Sequence, residues 1–316
     1  MFAQKRNYAL LVALLILAAL AISQCTPAAT PAPATTEAPK VVLGPTPEAT
    51  GLAEYVAPPG GLLEEIKKRG VLKNGVECQN PPGEYFDTAT GKCTGFSIEM
   101  TQKFADSLGV KLETIDTAWS GVIPSLYTKN FDMIWSDMTI TDARKKAVSF
   151  TTPVGCDQVS WIVKTDNATI TKPEDLNGKI VATQLNSAAE TQAKDLEKQY
   201  NIKYGELKSF DHFDGAFLAV KTGQADIGTS TAWINLPMFK QDPGTFKVAF
   251  TLPIYNYVGV AVRKQDADLL QALQDFLKKV EASGEMADLQ YKYYGYGMDC
   301  GDPGPNTPSG WKPPSQ

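Results

Sequence analysis

Between Phe131 and Phe150 the chain sets small hydroxyl-bearing residues just ahead of an arginine. Ser136, Asp137 and Thr139 follow the apolar run Phe131-Asp132-Met133-Ile134-Trp135, and Arg144 comes shortly after. A guanidinium is a planar fork of donors that matches a carboxylate and stays charged at any working pH. Hydroxyls and backbone amides delivered beside it suit capture of a small carboxylate. A lone arginine is more often an exposed surface residue. The elements around this one decide between the two.

The apolar run reads as a short buried strand. Asp142 reads as the N-cap of a short helix over Ala143–Ala147. Upstream, Leu62–Arg69 is a charged helix stopped by Gly70, and Val71–Glu77 is a strand. Phe96–Leu108 is a helix with Met100, Phe104 and Leu108 on one stripe. Val110–Thr117 is a strand, and a loop with Trp119 leads into a helix near Val122–Tyr127. This β-α-β-α-β order implies a parallel sheet covered by helices. The pattern then restarts. Strands are expected at Val159–Lys164, Ile180–Gln184, Lys203–Ser209 and Ala225–Thr231, with helices at Ser187–Tyr200 and Asp211–Thr222. That is a second α/β lobe. Phe246–Leu252 and Tyr257–Arg263 are strands around a break at Pro253. Leu269, Leu273, Phe276 and Val280 mark a closing amphipathic helix, and a last helical piece ends near Tyr294.

A length of 316 residues suffices for two domains. The formal net charge is −5, and residues 1–24 hold Lys5 and Arg6 but no acid, so the remainder is more acidic still. An acidic chain with no basic run argues against a nucleic-acid partner. The single histidine, His212, speaks against a Ser-His-Asp triad or a His-rich metal site. It sits between Phe210 and Phe213 and is expected to be structural or exposed. No phosphate loop, paired-metal spacing or nucleophile motif is present, so no cofactor is expected.

Lys5-Arg6 precedes an apolar run from Ala9 to Ile22, the charged and hydrophobic regions of a signal peptide spanning 1–24. Its end, Ile22-Ser23-Gln24-Cys25, resembles the lipobox of bacterial lipoproteins, in which the cysteine is lipidated after cleavage. Gln24 departs from the usual Gly or Ala, and ordinary signal cleavage nearby is the alternative. Residues 25–57 are expected to be a lipid-anchored, disordered tether. Export permits disulfides. Cys78, Cys93, Cys156 and Cys300 then allow three connectivities. A Cys78–Cys93 bridge clamping the Pro-Pro-Gly and Thr-Gly-rich loop is preferred, leaving Cys156 with Cys300. A cysteine metal site is the weaker alternative, since no CxxC spacing supports it.

The wording of these segments resembles the polar amino-acid group of ABC-transporter solute-binding proteins, family 3, which includes glutamine-, histidine- and lysine/arginine/ornithine-binding proteins. The matching stretches begin with Gly95-Phe96-Ser97-Ile98-Glu99-Met100, Trp119-Ser120-Gly121-Val122-Ile123-Pro124-Ser125-Leu126 and Phe131-Asp132. They continue with Met138-Thr139-Ile140-Thr141-Asp142-Ala143-Arg144, Val148-Ser149-Phe150-Thr151, Asp175-Leu176-Asn177-Gly178-Lys179 and Gly223-Gln224-Ala225-Asp226. The likeness covers about residues 62–296. It implies the type II periplasmic-binding-protein fold: two α/β lobes, two hinge strands and a ligand cleft between the lobes. The expected lobes are 58–157 plus 254–300 and 158–253, with a tail at 301–316. The crossings fall near Cys156–Ser160 and Leu252–Tyr257.

By the same resemblance, Arg144 grips the ligand carboxylate with the Thr139 hydroxyl beside it. Ser136 and Asp137 supply backbone contacts, Trp119 packs on the ligand side chain, and Glu77 reads its far end. Gln184, Asn186, Ser187 and Ala188 bring the second-lobe loop and its helix N-terminus to the ligand. Two positions depart from the family. Thr231 stands where an aspartate usually pairs with the ligand ammonium, and Asp137 stands where Gly, Ala or Ser is usual. Asp137 is expected to take over the ammonium, to meet a cationic group elsewhere on a different ligand, or merely to cap a local turn.

The resemblance therefore implies a monomeric, non-enzymatic receptor that delivers an amino acid or related zwitterionic or cationic molecule to an ABC permease. It would be held by a lipid anchor in the periplasm or on the outer face of the cell membrane. Alternatives are a cleft enzyme resembling cyclohexadienyl dehydratase and a ligand-sensing module.

Overall fold

The computed structural model describes residues 52–298. The expected signal peptide, Cys25, most of the expected tether, Cys300 and the expected 301–316 tail lie outside them.

In chain order the elements are α1 (Leu62–Arg69), β1 (Val71–Val76), β2 (Gln79–Asn80), β3 (Glu84–Phe86), β4 (Cys93–Thr94), α2 (Phe96–Leu108), β5 (Lys111–Asp116), α3 (Val122–Tyr127) and β6 (Met133–Ile134). Then come α4 (Asp142–Ala147), β7 (Val148–Phe150), β8 (Gly155–Lys164), β9 (Ile180–Gln184), α5 (Ala188–Gln199), β10 (Glu206–Phe210) and α6 (Phe213–Lys221). The chain continues through β11 (Ile227–Thr231), α7 (Ala232–Gln241), β12 (Phe246–Val258), β13 (Ala261–Arg263), α8 (Ala267–Ala282) and α9 (Glu285–Tyr294).

These strands form two five-stranded sheets, ordered β5-β1-β6-β13-β7 and β10-β9-β11-β8-β12. The first three strands of each run parallel, as helix-covered crossovers require, and the remaining pairs are antiparallel. Each sheet carries one lobe. The long strands β8 and β12 pair from Lys164 with Phe246 to Gly155 with Val258, and their register slips between Thr251 and Tyr255. They lead out of the first lobe and back into it. Residues 246–258 thus stay in one strand through Pro253, where a break between strands was expected; the residue spacing is absorbed as a bulge-like irregularity.

Apolar periodicity explains the core. Phe96, Met100 and Phe104 of α2 meet Leu269, Leu273, Phe276 and Leu277 of α8, all at most 8% exposed. Phe104 and Phe276 lie 5.3 Å apart centroid to centroid. In the second lobe Trp161, Val181, Ala193, Phe217, Ile227 and Trp233 are buried.

Polar anchors fix the ends of the first lobe. Arg263, 1% exposed, bonds Asp266 and donates from Nη1 to the Leu126 and Phe131 carbonyls at 2.6 and 2.9 Å. Tyr55 donates its hydroxyl to Asp266 Oδ1 at 2.6 Å, and its ring lies 4.3 Å from the Arg263 guanidinium. Tyr55 is itself buried. The expected tether through residue 57 is therefore corrected at its end, because an aromatic ring with a buried ionic partner docks onto the body rather than trailing in solvent.

Cys78 and Cys93 are disulfide-bonded and close the three-stranded sheet β2-β3-β4. Cys156 is disulfide-bonded as well. The Cys78–Cys93 bridge closes a loop of sequence separation 15, for which the chain-entropy contribution is about 3 kcal/mol. Replacing both cysteines by serine is expected to lower the melting temperature by roughly 5–10 °C in a scan without reductant. An unchanged midpoint would show that the hairpin is held by its other contacts.

Candidate functional site

The site loop is held by the returning strand. Thr139 bridges Val258, the Ile140 N–H donates to the Tyr257 carbonyl at 2.7 Å, and the Gly259 N–H donates to the Met138 carbonyl at 3.0 Å. The chain then enters α4, whose cap is Thr141 and not Asp142. The Thr141 hydroxyl accepts from the Arg144 N–H at 3.2 Å. Threonine in an extended conformation serves this role as well as aspartate.

That cap aims Arg144 across the gap between the lobes. Its Nη1 donates to the Thr139 carbonyl at 2.9 Å in the first lobe, and its Nη2 to the Asn186 carbonyl at 3.0 Å in the second. The Trp119 indole donates to the same Asn186 carbonyl at 3.2 Å, and its ring lies 5.1 Å from the guanidinium. Asn186 takes a left-handed backbone conformation, φ 59°, which turns its carbonyl toward both donors. Burial lowers the Arg144 pKa to about 10, so it remains cationic at neutral pH. Among the described residues Arg144 has no carboxylate partner. Its remaining donors are available to an anion.

A cleft lies beside it, lined by Glu77, Trp119, Ser136, Asp137, Thr139, Gln184, Ser187, Ala188 and Thr231 among others. A second hollow is lined by Arg144 and Asn186 among others and shares Trp119 and Ala188 with the first. Nine of the residues singled out in the sequence thus line the first hollow, and the other two, Arg144 and Asn186, line the second. Ser187 caps α5, its hydroxyl accepting from the Glu190 N–H at 3.0 Å. Its neighbour Ala188 opens that helix toward the cleft.

The acids behave differently from one another. Asp137 sits at φ 44°, and its carboxylate turns back into the first lobe. It accepts from Ser97 at 3.1 Å and from the Tyr294 hydroxyl at 2.7 Å. Its expected service to a ligand ammonium is thus shared with two internal donors. Burial raises its pKa to about 6, with the Tyr294 and Ser97 bonds opposing the shift. Glu84, fully buried, accepts from Ser136 at 2.6 Å; burial and the Asp137 charge push it well above the ordinary range. Asp157 accepts from the backbone N–H groups of Ala232 and Trp233 at the start of α7, and burial raises its pKa strongly. Among the described residues, Glu84 Oε2, Asp157 Oδ2 and the Thr231 hydroxyl have no hydrogen-bond partner.

Trp233 lines the cleft and was not expected there, and Glu84, Tyr294 and His212 contact the lining residues Ser136, Asp137 and Glu77 from outside the lining. His212, expected to be structural or exposed, contacts Glu77 at 2.6 Å across the lobes. The sequence offered only one signal for it, its place just ahead of an aromatic helix start. Its partner lies in another lobe.

Asp137 carries a measurable consequence. A folded pKa of about 6 exceeds the ordinary 3.8, so its contribution to stability is present at low pH and lost as pH rises through about 6. Asp137→Asn removes that loss. Relative to the parent, the variant is expected to gain about 2 kcal/mol between pH 4.5 and pH 8 in denaturant unfolding. Parallel curves for the two proteins would show that Asp137 stays ionised throughout.

Residues 72–296 match the bacterial extracellular solute-binding proteins, family 3, and the chain belongs to that family. The L-cystine-binding protein TcyJ of Escherichia coli K12 is 31% identical over 236 residues, covering 74% of this chain and 86% of that protein. Among solved structures, an ancestral arginine-binding protein bound to arginine is 33% identical with TM-score 0.67, over 72% of this chain and 99% of that one. The ancestral amino acid-binding protein AncCDT-1, a precursor of cyclohexadienyl dehydratase, is 33% identical with TM-score 0.67, over 74% and 99%. The chain is accordingly a solute-binding receptor and not an enzyme.

Proposed function

We propose that the cleft binds one small zwitterionic or cationic amino acid and presents it to the membrane subunits of an ABC importer. The observation that carries this reading is the Arg144 guanidinium, bonded among the described residues only to the carbonyls of Thr139 and Asn186 on opposite lobes. A half-buried cation with spare donors favours an incoming carboxylate. The rest of the site has the opposite character. Asp137 and the unpaired Thr231 hydroxyl line the cleft, and Glu84 and Asp157, outside that lining, are likewise buried with no lysine or arginine partner among the described residues. A ligand with its carboxylate at Arg144 and an ammonium or guanidinium toward Asp137 satisfies both ends. The names of the relatives make L-arginine and L-cystine the first candidates.

In this reading Trp119 packs on the ligand, Ser136, Thr139, Ser187 and Ala188 contribute hydroxyls and backbone amides, and Gln184 and Glu77 close the far wall. The lobe boundaries fall in β8 and β12, close to residues 157 and 254. Lipidation at Cys25 and a monomeric state complete the proposal, with the tether keeping the receptor near its permease. Calorimetry of the chain from residue 26 onward, with L-arginine, L-cystine, L-glutamine and L-glutamate, tests it. Saturable one-to-one binding of a neutral or cationic member, with L-glutamate excluded, is the expected result. Preference for L-glutamate, or no heat with any of the four, would overturn it.

A further inference from the structure

The carboxylate-binding reading leaves a second bridge between the lobes unused. Glu77 follows β1 and is 4% exposed. The Gln184 side-chain amide donates to its Oε1 and Oε2 at 2.7 and 2.9 Å, and to the Asp211 carbonyl at 3.0 Å. His212 Nδ1 lies 2.6 Å from Glu77 Oε1. Gln184 ends β9 and His212 precedes α6, so both reach Glu77 from the second lobe. Glu77 is therefore engaged by protein donors and is not a free reader of the ligand's far end.

The charged neighbours are all acidic. Asp116 lies opposite the end of β1, and its Oδ1 accepts from the Cys78 N–H. Asp211 and Asp214 flank His212 in sequence. Ser136, whose hydroxyl receives the Glu77 N–H, connects onward to Glu84, and Asp137 follows it. Among the described residues no lysine or arginine pairs with Glu77. His212 is the one histidine of the chain, and imidazole is the side chain whose ordinary charge change falls between pH 5 and 8.

We propose that His212 is a positioning residue: by clasping Glu77 across the cleft it holds the lobes together over the ligand, more firmly when protonated than when neutral. This rests on the cleft being the ligand site. Opening the lobes separates the imidazole from the carboxylate, so proton binding and closure are linked, and each favours the other. The clasp needs Glu77 ionised, and burial raises that group above its ordinary range. Closure is therefore weakened as pH falls through the Glu77 titration.

The test measures closure directly. Spin labels on Lys146→Cys of α4 and Lys198→Cys of α5, both exposed, report the separation of the lobes in the ligand-free chain. The short-distance population is expected to be larger at pH 6 than at pH 8. The dissociation constant for L-arginine in the unlabelled chain is expected to be roughly five-fold lower at pH 6, the scale of a partly exposed ion pair. His212→Gln keeps a hydrogen-bonding group without the charge, and is expected to flatten both profiles while its melting temperature stays close to the parent's. Glu77→Gln should flatten them too. Retention of the parent's pH profile in His212→Gln would overturn the proposal, as would tighter closure at pH 8. If L-arginine fails to bind at either pH, the proposed ligand is wrong, and the ligand-free distances alone decide the role of His212.

Discussion

Arg144→Ala is expected to weaken binding of the cognate amino acid by roughly 100-fold or more, the cost of removing one partner of a desolvated, hydrogen-bonded charge pair. Arg144→Lys should recover little of it. A lysine ammonium is a point charge and cannot span the Thr139 and Asn186 carbonyls while presenting a flat pair of donors to a carboxylate. Stability should barely change, since no buried acid depends on Arg144 among the described residues. Titration calorimetry with parallel thermal unfolding separates the two effects. Near-parental affinity in Arg144→Ala would remove the guanidinium from the site. A large drop in melting temperature would make it a structural residue.

Arg263→Ala is expected to do the reverse, costing about 3–5 kcal/mol of stability and roughly 10 °C in melting temperature with little change in ligand affinity. The alanine leaves Asp266 buried beside the Tyr55 hydroxyl with its charge partner gone, and strips the Leu126 and Phe131 carbonyls of their donor. Replacing both members of the pair, Arg263→Met with Asp266→Leu, should cost less than Arg263→Ala alone, because no isolated charge then remains inside. If the double variant is the less stable of the two, the stabilisation lies in the hydrogen bonds to the carbonyls rather than in charge pairing.

The contrast between these two arginines marks what the sequence made legible. Periodicity placed the helix Phe96–Leu108 and the strand Ile180–Gln184 at the residues observed, because local pattern and tertiary burial agree there. The helix Ala232–Gln241 was missed. Pro237 stands inside it, and a proline there removes an intrahelical donor, so local reasoning reads a loop. Arg144 was singled out by its surrounding motif. The Glu84–Ser136 contact, the Asp137–Tyr294 bond and the Glu77–His212 bridge were not, since their partners lie 52, 157 and 135 residues apart in the chain. Such pairings depend on how the lobes come together, which no window of sequence encodes.

The seat of β13 has a consequence for how the protein is made. Ala261–Arg263 lies between β6 and β7, two strands that precede it by more than a hundred residues. During synthesis the first sheet stays split at that slot while the whole of the second is being completed. A chain stopped before residue 261 would carry an open seam with unpaired strand edges on both sides, and such edges invite pairing with other chains. The second sheet has no such dependence on late residues beyond β12. Its assembly runs ahead, and the first lobe is sealed last.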